Sequence, residues 1–304
     1  MKFSLIRLGT AAALAALLAA CGGDGGSGST EPPVVTTPPT VQSTIAAAAA
    51  VPANDSATNS AAPFTTLQAA GVPAVAVNSP TKVNFTVFSD GAVKAGLTIT
   101  NVSVAIAKLI PGSDGNPDEW QNYTHRTRAA ATASSTGVYT DAVKATLTNP
   151  AFASTIQAYT DPKQTDPTLL AAQLVYNPDG YYTYTFKTDI TDPTKTNGVT
   201  FEPNRTHRVA VQLSYVNAAG ETVKVNPYFD FTIDANGKSV AVTDPTKTRK
   251  MTDVSSCNSC HEKLALHGGG RVDTQYCVMC HNPSTVDPNS GNNLNLPTLV
   301  HKIH

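Results

Sequence analysis

Apolar and polar residues alternate along much of the chain between residues 63 and 246. The alternation is clear around Val83, Val102, Tyr182, Val209 and Phe229. A period of two is typical of strands with one buried face. No long segment with the 3.6-residue period of an amphipathic helix interrupts these runs. The sequence therefore predicts a mainly β domain at 63–246, an antiparallel sandwich or barrel large enough to enclose a core.

Turn signals separate the predicted strands. Asn217-Ala-Ala-Gly220 stands between two alternating runs and predicts a hairpin turn. Asp-Pro pairs begin at residues 161, 166, 192 and 244 and also predict turns. His125 and His207 have polar neighbours and are predicted to lie at the surface or at strand ends. The β-domain is interpreted as a scaffold or docking surface.

The N-terminus predicts export and lipidation. Residues 1–20 combine Lys2 and Arg7 with an alanine- and leucine-rich run that is shorter than a membrane span. This signal sequence ends in Leu-Ala-Ala before Cys21, which resembles a bacterial lipobox and predicts acylation of Cys21. Residues 21–62 are rich in Gly, Ser, Pro, Thr and Ala and predict a flexible linker.

The C-terminal stretch carries two motifs, Cys257-Asn-Ser-Cys260-His261 and Cys277-Val-Met-Cys280-His281. Cys-x-x-Cys-His is the attachment pattern of c-type haem. The two thiols bond to the porphyrin vinyl groups, and the adjacent imidazole binds the iron. The motifs predict two c-type haems, with His261 and His281 as proximal ligands, in a segment spanning residues 247–304.

Zinc is the competing interpretation. The two Cys-x-x-Cys pairs are separated by sixteen residues, a spacing that also suits a zinc ribbon. An all-thiolate zinc site has no use for the histidine that follows each pair, in a chain with only 7 His. Haem is therefore the favoured interpretation, and zinc or a redox dithiol stays open.

Three further histidines are candidate distal ligands. His267 lies six residues after His261, which puts it on another face of a continuing helix and favours ligation of the next haem. His301 and His304 are three residues apart and would share one helical face, so either is a candidate for the first haem. Gly268 to Gly270 allow the backbone to turn or to approach a porphyrin, and Arg271 and Lys263 are candidate partners for haem propionates.

The net charge of the chain bears on the kind of partner it can bind. The chain has 21 basic and 22 acidic residues and a formal net charge of −1. Such a balance disfavours nucleic-acid binding.

The whole pattern resembles the outer-membrane decahaem c-type cytochromes of metal-respiring bacteria, the OmcA/MtrC family. The resemblance covers the lipobox, the linker, the β-domain and the motifs, including Leu-Ala-Leu-His-Gly-Gly-Gly-Arg and the closing His-Lys-Ile-His. It implies Greek-key split β-barrels that alternate with multihaem domains, and bis-histidine low-spin haems. With only two haem motifs here, residues 247–304 are expected to be the start of a larger multihaem domain.

The resemblance also implies function and location. A protein of this family is expected at the cell surface, lipid-anchored in the outer membrane, where it works with a porin–cytochrome complex or other multihaem cytochromes. It passes electrons to extracellular acceptors such as metal oxides or flavins, and terminal metal reductase activity stays open. The alternatives are a periplasmic electron relay and a zinc-binding lipoprotein whose β-domain has a binding or adhesion role.

Overall fold

The computed structural model describes residues 39–49, 64–66, 71–89, 91–131 and 150–304. The predicted signal sequence, Cys21 and most of the predicted linker lie outside these residues. None of the helices within the described ranges has the length and apolar character needed to cross a bilayer.

The first sheet is entirely antiparallel. Its strands are β1 (Phe64–Thr66), β2 (Val75–Ala76), β3 (Lys82–Ser89), β4 (Ala92–Val93), β9 (Leu174–Asn177) and β10 (Tyr181–Thr185). Their order in the sheet is β1-β3-β10-β9, and β2 and β4 also pair with β3.

The second sheet is antiparallel as well. Its strands are β5 (Val102–Ile110), β6 (Glu119–Asn122), β11 (His207–Val216), β12 (Thr222–Val225), β13 (Tyr228–Ile233) and β14 (Ser239–Ala241). Their order in the sheet is β14-β13-β11-β5-β6, with β12 paired to β11. A separate two-stranded ribbon joins β7 (His125–Ala129) and β8 (Ser154–Ala158).

The main core contains residues of both sheets. Buried side chains from β3 and β10 form one apolar cluster with side chains from β5, β11 and β13. The predicted strands and the mainly antiparallel β class are confirmed. The hairpin at Asn217–Gly220 is also confirmed, because it joins β11 to β12 and Gly220 donates a hydrogen bond of 3.1 Å to the Asn217 carbonyl.

Two central strands of the second sheet differ from the sequence prediction, because they are buried on both faces. The outward face of β5 and β11 presents Ala105, Ala107 and Ala210, and these pack against Tyr276 and Met279 of the C-terminal segment. Alanine at these positions allows the segment to approach the sheet closely. An alternating pattern identifies the face of a strand that points into the core. It does not show that residues distant in the sequence bury the other face.

A buried polar cluster joins the same two parts of the chain. The Arg208 guanidinium on β11 binds both carboxylate oxygens of Asp230 at 2.6 and 2.7 Å. It also donates to Gln275 Oε1 at 2.9 Å and lies 4.4 Å from the ring centroids of Trp120 and Tyr228. The guanidinium therefore connects the sheet to the backbone that precedes the second Cys-x-x-Cys-His motif.

The Asp-Pro pairs act largely as predicted. Asp166 caps helix α2 (Pro167–Gln173), Asp244 caps a 3-10 turn, and Asp192 accepts hydrogen bonds from Thr194. Asp161 differs, because its buried carboxylate accepts bonds from the Tyr184 hydroxyl, the Gln173 side chain and two backbone amides. Burial raises the pKa of this carboxyl.

The prediction for His207 is corrected in part. The sequence predicts a surface or strand-end histidine, and His207 is indeed the first residue of β11, but its side chain is fully buried rather than at the surface. Its ring stacks on Phe231 and Tyr123 at 5.4 and 5.9 Å, and a hydrogen bond of 3.0 Å joins Tyr123 Oη to His207 Nε2. The register of β11 directs the ring into the core, and burial lowers the pKa of His207 to about 4.

Short helices complete the fold. Helix α1 (Val41–Ala49) lies within the stretch predicted as a linker, and its Val41 side chain is buried. Gln42 Nε2 of this helix donates to Asp179 Oδ1 at 3.2 Å. The C-terminal segment contains α3 (Val254–His261), α4 (Thr274–Cys277) and α5 (Leu296–Ile303).

Candidate functional site

The first motif lies on helix α3. Asp253 caps this helix by accepting a hydrogen bond of 3.1 Å from the Ser255 amide. Cys257 and Cys260 are one helical turn apart, and His261 ends the helix. The chain leaves through Glu262 at φ +55°, an uncommon backbone region for a side-chain-bearing residue.

Helix α5 brings a second histidine to the first motif. The rings of His261 and His304 have centroids 5.9 Å apart and are nearly perpendicular, at 85°. His304 Nδ1 donates to the Val300 carbonyl at 3.0 Å, which leaves its Nε2 available. His301 is the other candidate on α5, and among the ring contacts within the described ranges it is His304 that pairs with His261.

An apolar cavity adjoins this pair. It has a volume of about 630 Å³ and is lined by Met251, Thr252, Leu296, Pro297, Val300, His301 and His304. A largely apolar wall beside opposed histidines suits a flat, apolar macrocycle.

The second motif is buried. It begins on α4, which Asp273 caps by accepting a hydrogen bond of 2.7 Å from the Gln275 amide. The Cys277 and Cys280 side chains are almost fully covered, and burial raises the pKa of Cys277 to about 12 and that of Cys280 to about 11. The two thiols are therefore neutral at pH 7.

A second histidine also faces the second motif. The ring centroids of His267 and His281 are 5.9 Å apart, with planes inclined by 30°. His281 Nδ1 donates to the Leu294 carbonyl at 3.0 Å, so its Nε2 is the free nitrogen. Burial is the main cause of a lowered pKa for both imidazoles, which favours the neutral form that binds metals.

The loop that carries His267 is attached to the second sheet. His267 has φ +52°, and Gly268 and Gly269 continue in the left-handed region. Lys224 Nζ on β12 donates to the Gly268 carbonyl at 2.9 Å. Asn226, just after β12, donates to the Gly270 carbonyl at 3.0 Å and accepts from the Val272 amide at 2.6 Å. The glycines therefore turn the chain and let it lie against the sheet.

The zinc-ribbon interpretation is not supported by this arrangement. Within the described parts of the chain, no three His, Cys, Asp or Glu side chains converge into a cluster that could hold a metal ion. The first cysteine pair lies on α3, whereas the second begins at the last residue of α4 and continues into the turn that follows, and each pair has its own histidine. A closed structural zinc site requires four ligands around one centre, which is not how these thiols are placed.

The residues fit two c-type haems. A metal–imidazole bond is about 2 Å long, so the observed ring separation of 5.9 Å leaves room for one metal atom between each pair. Each pair has two thiols within the same pentapeptide as one of its histidines. These residues would provide two thiols for covalent attachment and two imidazoles for the iron of each haem.

Sequence reasoning missed the contribution of the sheet to the second site. Lys224 and Asn226 hold the His267 loop, and Asn122 Nδ2 on β6 donates to the Met279 carbonyl at 2.7 Å. In the sequence these residues look like ordinary residues of a β-domain, and no local motif distinguishes them. Only the pairing of distant segments brings them to the site.

Comparison with known proteins gives concordant matches. The family model for outer membrane cytochrome MtrC/MtrF-like domains II/IV matches residues 249–304, which contain both motifs. The chain is similar to the multiheme cytochrome MtrC of Shewanella baltica (strain OS185), with 33% identity over 131 residues, which cover 41% of this chain and 18% of that protein.

Two solved structures share the fold. The outer membrane decaheme cytochrome OmcA matches with a TM-score of 0.57 and 27% identity, over 79% of this chain and 32% of that one. MtrC from Shewanella baltica OS185 matches with a TM-score of 0.50 and 22% identity over the same shares, which speaks for the fold alone. The matched part of this chain thus spans about a third of the length of these solved relatives.

Proposed function

Because the chain belongs to the OmcA/MtrC family of outer-membrane multihaem cytochromes, we propose that it is a cell-surface electron-transfer protein that holds two c-type haems. One observation carries this proposal. The histidine of each Cys-x-x-Cys-His motif faces a second imidazole at a centroid distance of 5.9 Å. Two opposed imidazoles suit an iron that exchanges electrons and has no open position for a substrate.

The first haem is assigned to the exposed motif. Cys257 and Cys260 attach it, His261 is its proximal ligand and His304 is its distal ligand. The ring contact between the two histidines supports His304 over His301. The Val300 carbonyl holds His304 Nδ1 and so orients its Nε2 for the metal.

The second haem is assigned to the buried motif. Cys277 and Cys280 attach it, His281 is proximal and His267 is distal. The Leu294 carbonyl fixes the tautomer of His281, and the bonds of the glycine loop to β12 hold the backbone beside His267. These residues hold the ligands in place, while the haem supplies one-electron redox chemistry when bound.

Location and partners follow from the family. Lipidation at Cys21 would attach the chain to the outer membrane, and other multihaem cytochromes or a porin–cytochrome complex would deliver its electrons. Metal oxides and flavins are the proposed extracellular acceptors. The exposed first motif supports electron transfer to such acceptors, because an exposed haem is accessible to an acceptor outside the protein.

The ligand assignment is tested with two matched variants on one helix. His304→Ala is expected to open the first haem to carbon monoxide and shift its reduced absorption bands. His301→Ala changes the same residue type three positions away, and its haems should stay insensitive to carbon monoxide. The reverse outcome would assign His301 as the ligand.

The electron-transfer role is tested by reoxidation. Holo-protein reduced with dithionite is mixed in a stopped-flow cell with soluble ferric citrate or a ferric oxide suspension, and loss of the reduced bands is followed. Rapid loss with both acceptors is the expected result. External protease should also cleave the protein on intact cells, whereas full protection would favour the periplasmic relay.

A further inference from the structure

A polar cavity lies beside His267. Its volume is about 230 Å³, and its walls include Ser103 of β5, Gln212 of β11 and Arg126 of β7. His267 and Arg271 of the glycine loop line it as well. The cavity therefore lies between the β-domain and the proposed distal ligand of the second haem.

Two guanidinium groups meet at one tyrosine in this cavity. The Cζ atom of Arg126 lies 3.8 Å from the Tyr159 ring centroid, and that of Arg271 lies 5.6 Å from the same centroid. Stacking on an aromatic face holds a guanidinium in one plane and leaves its edge free for hydrogen bonds. Tyr159 thus places the two guanidinium groups at one side of the cavity.

Both arginines lack an anionic partner. Across the described ranges the ion pairs of arginine involve Arg205, Arg208 and Arg249, so no carboxylate pairs with Arg126 or Arg271. The Nε atom of Arg271 is buried without a hydrogen-bond partner. A buried donor without an acceptor is unfavourable, so the Arg271 Nε atom points to an acceptor supplied by a bound group. Arg126 is exposed and makes a long bond of 3.4 Å to Gln157 Oε1, so its guanidinium is also available to such a group.

A haem carries two propionate carboxylates, and a guanidinium binds carboxylates through paired, charge-assisted hydrogen bonds. We propose that Arg126 and Arg271 form the binding site for the propionates of the second haem, an inference that rests on the proposed function. The site takes one arginine from the β-domain and one from the His267 loop. The β-domain therefore acts on the second haem directly and is not only a scaffold.

This arrangement has a consequence for the reduction potential of the second haem. Reduction lowers the positive charge of the iron, so nearby cations stabilise the reduced state and raise the potential. The guanidinium groups also neutralise propionate charge that would otherwise favour the oxidised state. Removal of either arginine charge should lower the potential of the second haem and leave that of the first haem close to its original value.

The test is a spectroelectrochemical titration of the two-haem holo-protein. Arg126→Gln and Arg271→Gln remove one charge each, and Arg128→Gln is the control, because Arg128 is exposed on the same strand as Arg126 but is not among the residues that line the cavity. At the midpoint of the second haem in the parent protein, we expect each of the first two variants to be about tenfold more oxidised, a shift of about 59 mV for a one-electron couple. Arg128→Gln should titrate like the parent.

Charge-retaining variants separate electrostatics from packing. Arg126→Lys and Arg271→Lys keep the positive charge but lose the planar guanidinium, so the reduction potential of the second haem should stay close to that of the parent protein. They also provide a measurable protein if a glutamine variant loses haem. Equal shifts for lysine and glutamine would overturn the inference, as would glutamine variants that titrate like Arg128→Gln.

Free citrate distinguishes the haem's own carboxylates from external ones. If propionates occupy the site, citrate leaves the potentials of the parent protein unchanged. A citrate-induced shift in the parent that is absent from the glutamine variants would mean that an external carboxylate binds there, which contradicts the inference. Each of these results leaves the proposed function intact, whereas a holo-protein without bis-histidine haems would contradict the proposed function itself.

Discussion

Replacing Asp230 by asparagine would leave the Arg208 guanidinium buried without its negative partner. Arg208 is only 1% exposed, and it binds both Asp230 oxygens, at 2.6 and 2.7 Å. Removing one member of a buried ion pair typically lowers the free energy of unfolding by about 3–5 kcal/mol, because the remaining charge stays desolvated. We expect Asp230→Asn to fall in this range.

Two further variants test the reasoning behind this magnitude. Arg208→Met combined with Asp230→Asn removes the buried charge as well, and we expect the double variant to recover at least about half of the loss. Arg205→Gln disrupts the half-exposed Arg205–Glu202 pair, which is 3.2 Å long. That change should lower the free energy of unfolding by less than about 1 kcal/mol.

The assay is urea unfolding of the holo-protein, followed by far-ultraviolet circular dichroism and extrapolated to water. Because Arg208 also binds Gln275 in α4, carbon monoxide binding to the second haem serves as a second readout. A loss below about 1 kcal/mol for Asp230→Asn would refute the argument. So would a double variant that is less stable than Asp230→Asn alone.

Three other changes give distinct outcomes. The pKa of His207 is lowered to about 4, so the unfolded chain binds more protons than the folded one between pH 6.5 and 4. As the pH is lowered through this window, the free energy of unfolding should fall by about 3 kcal/mol, and His207→Phe should reduce this loss. Met279→Ala empties a fully buried position against the sheet and should lower the free energy of unfolding in urea by about 2–5 kcal/mol. Gly269→Ala places a Cβ 2.9 Å from Lys224 Nζ at φ +80°, whereas Gly268→Ala, at φ +74°, meets nothing within 4 Å. Both should lose about 1–2 kcal/mol from backbone strain, and only Gly269→Ala should also disturb His267 and admit carbon monoxide to the second haem.

The sequence predicts the β architecture because each strand carries its own alternating pattern. Val83, Val102 and Tyr182 lie in strands where the period of two places them, and the Asn217–Gly220 hairpin follows from local turn chemistry. The burial of the outer face of β5 is not a local property. It depends on Tyr276 and Met279, which lie more than 160 residues further along the chain.

The candidate site also combines residues that the sequence predicts with residues that only the folded structure brings together. The motifs locate Cys257, Cys277 and their histidines, because attachment chemistry fixes a short spacing. Spacing alone leaves His301 and His304 equivalent, and the placement of α5 brings His304 to His261. Arg126 could not be found from the sequence, since its relation to His267 exists only once the ribbon and the glycine loop are packed together.

The most direct test of the central claim is the haem content and axial ligation of protein matured in a host competent for c-haem attachment. We predict two covalently bound haems per chain by pyridine haemochrome assay. Sharp α and β bands should appear on reduction with dithionite and stay unchanged under carbon monoxide, because both axial positions are occupied by histidine. Absence of covalent haem would contradict the account, as would haems that bind carbon monoxide in the unmutated protein.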